Sequence, residues 1–274
     1  MKKIRLGIGT YSFPIGSGKL PDFRPKRCLS HLDILRHAVE QNVPVVQLAD
    51  NMPLEALSSD QLDEIAEYAT AHGLTIETGC RLQESSTLET YLEISRRLHA
   101  TMLRCLPACE GDTPNLDKTE HILKGVLPRL AAQQLVIGIE NYERYASQAI
   151  GDMLTRLDSP WIGAVLDTTN SLGRFERIDE TMHHLARHTV CLHLKDYTIE
   201  RKPSMSGFVI SGTPLGTGMH DIPRILQKVR SEAKSDFSCI IENWIVAQST
   251  AEETARLERE WTKQSLAYLR GIGT

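Results

Sequence analysis

LVIGIE at 135–140, AIGDMLTRL at 149–157 and IGAVLD at 162–167 form an apolar run, an amphipathic segment and a second apolar run in close succession. The two apolar runs have the length of strands, whereas the segment between them carries hydrophobic residues at helical spacing. Near-continuous apolar strands separated by helices are typical of a parallel sheet whose faces are covered. This stretch therefore predicts a strand, a helix and a second, parallel strand.

The same alternation extends over the whole chain. Eight apolar runs are present, at 4–11, 43–48, 74–78, 101–106, 135–139, 162–166, 190–194 and 238–241. Helices are predicted at 32–41, 116–133, 149–157, 179–186, 222–231 and 251–269, with two more beginning near Ser58 and Ser86. Eight units match the count that closes into a (β/α)8 TIM barrel, with a doubly wound open sheet as the alternative. No Pro/Gly/Ser-rich linker divides the chain, which predicts a single domain over 1–274.

Composition excludes several classes of protein. The net charge is −4, and no basic block provides an electrostatic footprint for nucleic acid. No apolar run approaches the roughly 18 residues of a membrane helix. The six cysteines include no CxxC pair, so they are interpreted as reduced, mostly core residues. We therefore expect a soluble, cytoplasmic protein with a small-molecule substrate and no nucleic-acid or membrane partner; a homo-oligomer is compatible with the sequence.

Four consecutive strands end at residues able to bind a metal ion. These residues are Glu140, Asp167, His193 and Glu242. The residues two positions earlier, on the same inward face, carry no charge, which predicts an apolar floor under three carboxylates and an imidazole. Burying three like charges together is prohibitive unless a cation compensates them. The alternative for any one of these acids alone is a solvated residue in a turn after a strand.

The predicted ligands do not select one metal. Three carboxylates and one imidazole suit Mn²⁺, Mg²⁺, Co²⁺ or Zn²⁺, so the sequence predicts one divalent ion of open identity.

An ordered set of motifs resembles a known family. IEN at 139–141, LDTTN at 166–170, HLKD at 193–196, GTPLGTG at 212–218 followed by Asp221, and IIEN at 240–243 are similar to motifs of the xylose-isomerase-like TIM barrels. The resemblance is to the sugar phosphate isomerase/epimerase branch that contains tagatose 3-epimerase. It implies that Glu140, Asp167, His193 and Glu242 are the metal ligands, and that Glu140 and Glu242 also act as the acid/base pair.

The expected activity is therefore metal-dependent isomerisation or epimerisation of a keto sugar or sugar acid. A metal chelated by a carbonyl and its neighbouring hydroxyl stabilises an enediolate, and two carboxylates can then move the proton. The alternative is a lyase, a decarboxylase or dehydratase of an oxo sugar acid, that uses the same site. An apurinic-site endonuclease needs additional histidines that the runs at 75–81 and 102–109 lack. A non-catalytic sugar-binding barrel predicts the loss of a ligand or acid/base residue.

Further residues are candidates for binding substrate. Lys195 follows His193 by two positions and points into the same mouth. Asn170 occupies the place where related epimerases have a histidine. The remaining candidates are Arg81, Arg104, Arg201 and Lys202, and for Arg81 and Arg104 the alternative is a structural ion pair. The last two fall in the segment 198–219, which is predicted to be a long irregular loop at the catalytic face.

Overall fold

The computed structural model describes residues 2–110 and 113–273. Its parallel strands close into a barrel in which each strand pairs with the next along the chain and the last pairs with the first. The barrel strands are β1 (Ile4–Gly9), β2 (Val45–Leu48), β3 (Thr75–Arg81), β4 (Met102–Leu106), β5 (Val136–Glu140), β6 (Ile162–Asp167), β7 (Thr189–Leu194) and β8 (Phe237–Ile241). The predicted (β/α)8 barrel and all eight predicted strands are confirmed.

Helices cover the outside of the barrel. They are α1 (His31–Glu40), α2 (Ser59–Ala71), α3 (Ser85–Arg97), α4 (Leu116–Gln133), α5 (Ser147–Leu157), α6 (Ile178–Leu185), α7 (Ile222–Glu232) and α8 (Ala251–Gly271). Local sequence sets their starts: the Ser58 hydroxyl accepts a hydrogen bond from the Gln61 backbone N–H, and the Gln61 side chain bonds back to the Ser58 N–H. Within the described residues, no helix has the combination of length and apolarity that a membrane span requires.

The barrel interior is apolar only in part. Val45, Met102, Val165, Cys191 and Ile240 form a buried cluster inside the strands. Below Glu140, Gly138 is required because a Cβ there would lie 2.5 Å from a Val165 methyl carbon. These observations agree with the predicted apolar floor on one side of the barrel.

The barrel interior also contains a carboxyl group that was not predicted from the sequence. Glu77 on β3 points inward and is 1% exposed. Its Oε2 accepts a hydrogen bond of 3.0 Å from Gln47 Nε2 and lies 3.9 Å from Cys191 Sγ. Burial raises the pKa of Glu77. A carboxyl group therefore lies within the barrel, close to the strand that carries His193.

The segment predicted as an irregular loop contains an antiparallel hairpin. Its strands are Asp196–Arg201 and Phe208–Thr213, which we call the mouth hairpin. β-Branched and aromatic residues favour these strands, and Gly207, with a φ of 101°, permits the turn between them. Gly212 lets the hairpin approach the segment after β8, since a Cβ there would lie 2.1 Å from the Trp244 carbonyl oxygen.

The glycine-rich motif that follows the hairpin wraps around the side chain of Asp196. Its buried carboxylate accepts hydrogen bonds from the backbone N–H groups of Gly216 (3.0 Å), Gly218 (2.9 Å) and His220 (3.1 Å). The motif is thus an anion-binding turn that is occupied by the protein's own aspartate.

Glu258 on α8 holds the loop between β1 and α1. Its two carboxylate oxygens accept backbone hydrogen bonds from Ile15 (2.7 Å) and Gly16 (2.8 Å), and the residue is 0% exposed. Burial raises the pKa of Glu258 from 4.5 to about 7. The folded state therefore binds more protons than the unfolded state between these two values.

We expect this group to make the free energy of unfolding fall as pH rises from about 4.5 to about 7, by at most about 3 kcal/mol. Urea unfolding at pH 5 and pH 8 measures it. The difference in the free energy of unfolding between wild type and Glu258→Gln should change between pH 5 and pH 8. The control is Glu253→Gln, at an exposed site on the same helix, whose free energy of unfolding should change with pH as that of wild type does. A Glu258→Gln curve parallel to wild type contradicts the assignment.

Candidate active site

The four predicted metal-binding side chains converge at the carboxyl ends of the strands. Glu140, Asp167 and His193 each offer one ligand atom, and these atoms lie within 4.8 Å of one another. His193 Nδ1 is 3.4 Å from Glu140 Oε1 and 3.1 Å from Glu242 Oε1. All four residues are buried, with at most 4% exposure. The barrel thus gathers three carboxylates and one imidazole in one buried cluster.

Strand register is what brings them together. Asp167 on β6 lies level with His193 on β7, and Glu140 on β5 lies level with Val165 on β6. Glu242 follows the last residue of β8 directly. Since all eight strands are parallel, their carboxyl ends share one mouth, where barrel enzymes place their active sites.

The asparagine that follows each of the two glutamates binds a neighbouring segment of the chain and thereby anchors the end of its strand. Asn141 accepts a hydrogen bond of 2.7 Å from the Asp167 N–H and donates one of 3.0 Å to the Asp167 carbonyl oxygen. Asn243 donates to the Ser12 carbonyl oxygen at 2.7 Å and to Thr262 Oγ1 at 2.9 Å. The sequence analysis missed this positioning role, although the repeated Glu-Asn pair is its signal.

Backbone N–H groups also hold the carboxylate of Asp167. Its Oδ1 accepts hydrogen bonds of 2.8 Å from both the Thr169 and the Asn170 N–H. The Asn170 side chain in turn donates to Glu140 Oε1 at 2.9 Å. The LDTTN motif therefore orients two of the four predicted ligands.

The donor set fits a divalent cation. Within residues 2–110 and 113–273, both ring nitrogens of His193 and Oε1 of Glu242 are buried without a hydrogen-bond partner. Such orphaned polar atoms are rare in proteins because each costs free energy. A cation held by Glu140, Asp167 and His193, with Glu242 beside them, would take one ring nitrogen of His193 as a ligand and offset the mutual repulsion of the acids.

Cationic side chains flank the cluster. Lys195 Nζ contacts Asp167 Oδ2 and lies 2.7 Å from Glu242 Oε2. Burial alone would lower the pKa of Lys195, but the carboxylates of Asp167 and Glu242 outweigh it and raise the pKa. Lys195 is therefore a protonated ammonium at the edge of the cluster.

On the other side, Arg104 contacts Glu140 Oε2, and its Nη1 is 2.7 Å from Asp50 Oδ1. Burial would raise the pKa of Glu140, yet the Arg104 charge, followed by His193, holds that pKa well below its usual range. Arg81 Nε lies 2.7 Å from Asp50 Oδ2. Asp50, just beyond β2, was missed by the sequence analysis; its only signal is its place after a strand.

A cavity of about 510 Å³ opens above these groups. Glu140 and Glu242 line it together with four of the predicted substrate-binding residues, namely Arg81, Arg104, Asn170 and Lys195. Arg201 and Lys202 do not line it: they lie at the exposed end of the mouth hairpin, where Arg201 stacks on the Phe208 ring. The walls also contain Tyr11, Lys19 and Trp244, which the sequence analysis did not select.

Comparison with known proteins agrees with the fold. Residues 35–270 match the family model of the xylose isomerase-like TIM barrel, and the chain belongs to this family. The resemblance inferred from the motifs is thereby confirmed.

Among curated proteins, the chain is 31% identical over 265 residues to 3-oxo-isoapionate decarboxylase of Pectobacterium atrosepticum, with 96% of this chain and 94% of that protein covered. D-psicose 3-epimerase of Clostridium cellulolyticum H10, solved with D-tagatose, superposes with a TM-score of 0.71 at 13% identity, covering 98% of this chain and 99% of that one. A xylose isomerase-like TIM barrel protein of Mycobacterium smegmatis in complex with magnesium gives 0.65 at 15% identity, covering 98% and 97%. The two structural likenesses establish the fold alone.

Proposed function

We propose that the protein is a divalent-metal-dependent decarboxylase of a 3-oxo sugar acid. The sequence analysis placed an isomerase or epimerase first and this lyase second. The observation that reverses the order is Lys195, a buried ammonium held against both Asp167 and Glu242 in the wall of the cavity. The decarboxylase relative, which is similar over nearly the whole chain, supports the same order.

The charge of the cavity suits an acidic substrate. Four cationic side chains line it, namely Lys19, Arg81, Arg104 and Lys195, against the three carboxylates of Glu140, Glu143 and Glu242. Such a wall favours a sugar acid over a neutral sugar, because a carboxylate gains charge-assisted hydrogen bonds there.

Decarboxylation breaks the bond between the carboxylate carbon and the carbon beside the ketone. Carbon dioxide leaves, the electron pair moves toward the ketone oxygen, and the resulting enediolate then takes a proton on carbon. A divalent ion held by Glu140, Asp167, His193 and Glu242 would supply a Lewis acid that withdraws electrons from the ketone and its neighbouring hydroxyl.

Glu140 and Glu242 have different surroundings, and this difference suits a decarboxylase, which needs a proton donor on only one face of the substrate. Arg104 keeps Glu140 ionised, so that Glu140 serves as a hydrogen-bond acceptor. Glu242 lies 2.7 Å from the Lys195 ammonium, so that a proton can return to carbon from this ion pair. An epimerase, in contrast, needs a proton acceptor on one face of the substrate and a donor on the other.

Epimerisation or isomerisation is the second candidate, because Glu140 and Glu242 both line the cavity. The two functions are separated by incubating metal-loaded protein in deuterium oxide with 3-oxo sugar acids and with neutral keto sugars, followed by NMR. We expect carbon dioxide release from an oxo acid and a single deuteron on the new C–H bond. Deuterium uptake or epimerisation of a keto sugar without carbon dioxide release contradicts the decarboxylase.

Lys195→Met is expected to lower kcat for carbon dioxide release by about 100-fold or more while metal binding persists, because the variant keeps the length of the side chain but loses the proton and the charge. Steady-state kinetics and metal analysis measure both quantities. Lys228→Met, at a partly exposed site on α7, is the matched control. Wild-type kcat in Lys195→Met removes Lys195 from the proton transfer.

A further inference from the structure

Lys19 differs from the other cations of the cavity wall. It is carried by the loop between β1 and α1, where its backbone N–H donates to the Pro14 carbonyl oxygen at 3.0 Å. Its ammonium lies 4.5 Å from the centre of the Tyr11 ring. The face of an aromatic ring attracts a cation without neutralising it. The ring therefore positions the ammonium of Lys19 and leaves its charge available.

The other three cations of the wall are engaged by carboxylates. Arg81 and Arg104 share Asp50, Arg104 also contacts Glu140, and Lys195 contacts two carboxylates of the cluster. In the part of the chain that the structure describes, Lys19 forms no such ion pair. It is thus the cation in the wall whose charge is not already matched by the protein.

Lys19 and Lys195 also act on each other. Burial lowers the pKa of Lys19, and the charge of Lys195 lowers it further, ahead of the opposing effects of Glu242 and Asp50. An anion bound between two positive charges that line one cavity offsets their mutual repulsion. The space they share accordingly favours a negatively charged group of the ligand.

We infer that Lys19 is a specificity-determining residue whose ammonium binds the carboxylate of the substrate. The inference rests on the proposed function and adds the residue that selects acids over neutral sugars. A carboxylate that is to leave as carbon dioxide loses its charge during the reaction, so an ion pair to it stabilises the bound substrate more than the transition state. Loss of Lys19 should therefore raise KM and should not lower kcat.

The test uses two unreactive ligands of equal carbon number, a four-carbon aldonate and the corresponding alditol, which lack the ketone and differ in charge. Isothermal titration calorimetry with the metal-loaded full-length protein measures both affinities. We expect wild type to bind the aldonate about tenfold more tightly than the alditol, which is the contribution of one hydrogen bond between charged groups. Lys19→Met and Lys19→Gln should abolish that preference, whereas Lys19→Arg should retain it.

The matched control is Lys26→Met, an exposed lysine on the same loop, which should behave as wild type. In turnover, Lys19→Met should raise KM for the oxo acid about tenfold and should not lower kcat.

Each other outcome is decisive. If wild type does not prefer the aldonate, the proposed sugar-acid substrate fails and the role of Lys19 fails with it. If wild type prefers the aldonate and both Lys19→Met and Lys19→Gln keep that preference, the inference is overturned while the proposed function stands. Equal loss of affinity for aldonate and alditol assigns Lys19 a structural role and also overturns the inference.

Discussion

Glu242→Gln should lower kcat/KM for carbon dioxide release by about 10³-fold, the largest effect we expect from a single substitution. The amide has nearly the same shape but can neither carry the transferred proton nor contribute the negative charge that Lys195 and a metal ion require. Its Oε1 is buried 3.1 Å from His193 Nδ1, so replacement acts at the centre of the cluster. Rates of carbon dioxide release, with metal content measured in the same samples, quantify the loss.

Glu140→Gln provides the comparison within the site. This change removes one of the two carboxylate partners of Arg104 and one predicted ligand, so activity should also be lost, with weaker metal binding. Glu180→Gln, an exposed carboxylate on α6, should keep wild-type activity. If both Glu140→Gln and Glu242→Gln still exchange a substrate C–H proton with deuterium oxide at the wild-type rate, neither glutamate acts as acid or base.

His193→Ala should weaken binding of Mn²⁺ by at least about 100-fold, since even residues that merely support a ligand contribute 10- to 100-fold. His193 is the nitrogen donor of the cluster, is 0% exposed, and has no hydrogen-bond partner on either ring nitrogen among the described residues. Calorimetric titration of metal-stripped protein measures the affinity directly.

Thermal unfolding provides a second measure of the same effect. Saturating Mn²⁺ at about 100 times its Kd should stabilise wild type by about 2.7 kcal/mol, whereas His193→Ala should gain little at that concentration. His121→Ala, at an exposed site on α4, is the control. Wild-type metal affinity in His193→Ala contradicts its assignment as a ligand.

The fold was predictable because its signal is local. Each barrel strand is a short apolar run, and each helix carries hydrophobic residues at helical spacing, so eight repeated units could be counted without tertiary information. The four residues of the cluster were predictable for a related reason. Each ends a strand or lies directly next to its end, and parallel strands bring their carboxyl ends to one mouth.

What the sequence analysis missed depends on contacts between distant segments. Glu77 is buried inside the barrel because register places it beside Gln47 on β2, a pairing that no single strand reveals. Lys19 lines the cavity from a loop whose backbone is held by Glu258, far along the chain. The mouth hairpin was interpreted as irregular because its glycines outweighed the β-branched residues between them. Strand pairing across the hairpin decides the outcome.

The most direct test is a crystal structure of the protein soaked with Mn²⁺, with anomalous diffraction recorded to locate the ion. We predict one anomalous peak at about 2.0–2.2 Å from His193 nitrogen and from carboxylate oxygens of Glu140, Asp167 and Glu242. A map with no peak there, while these carboxylates remain paired with Lys195 and Arg104, would contradict the metal site and the chemistry proposed for it.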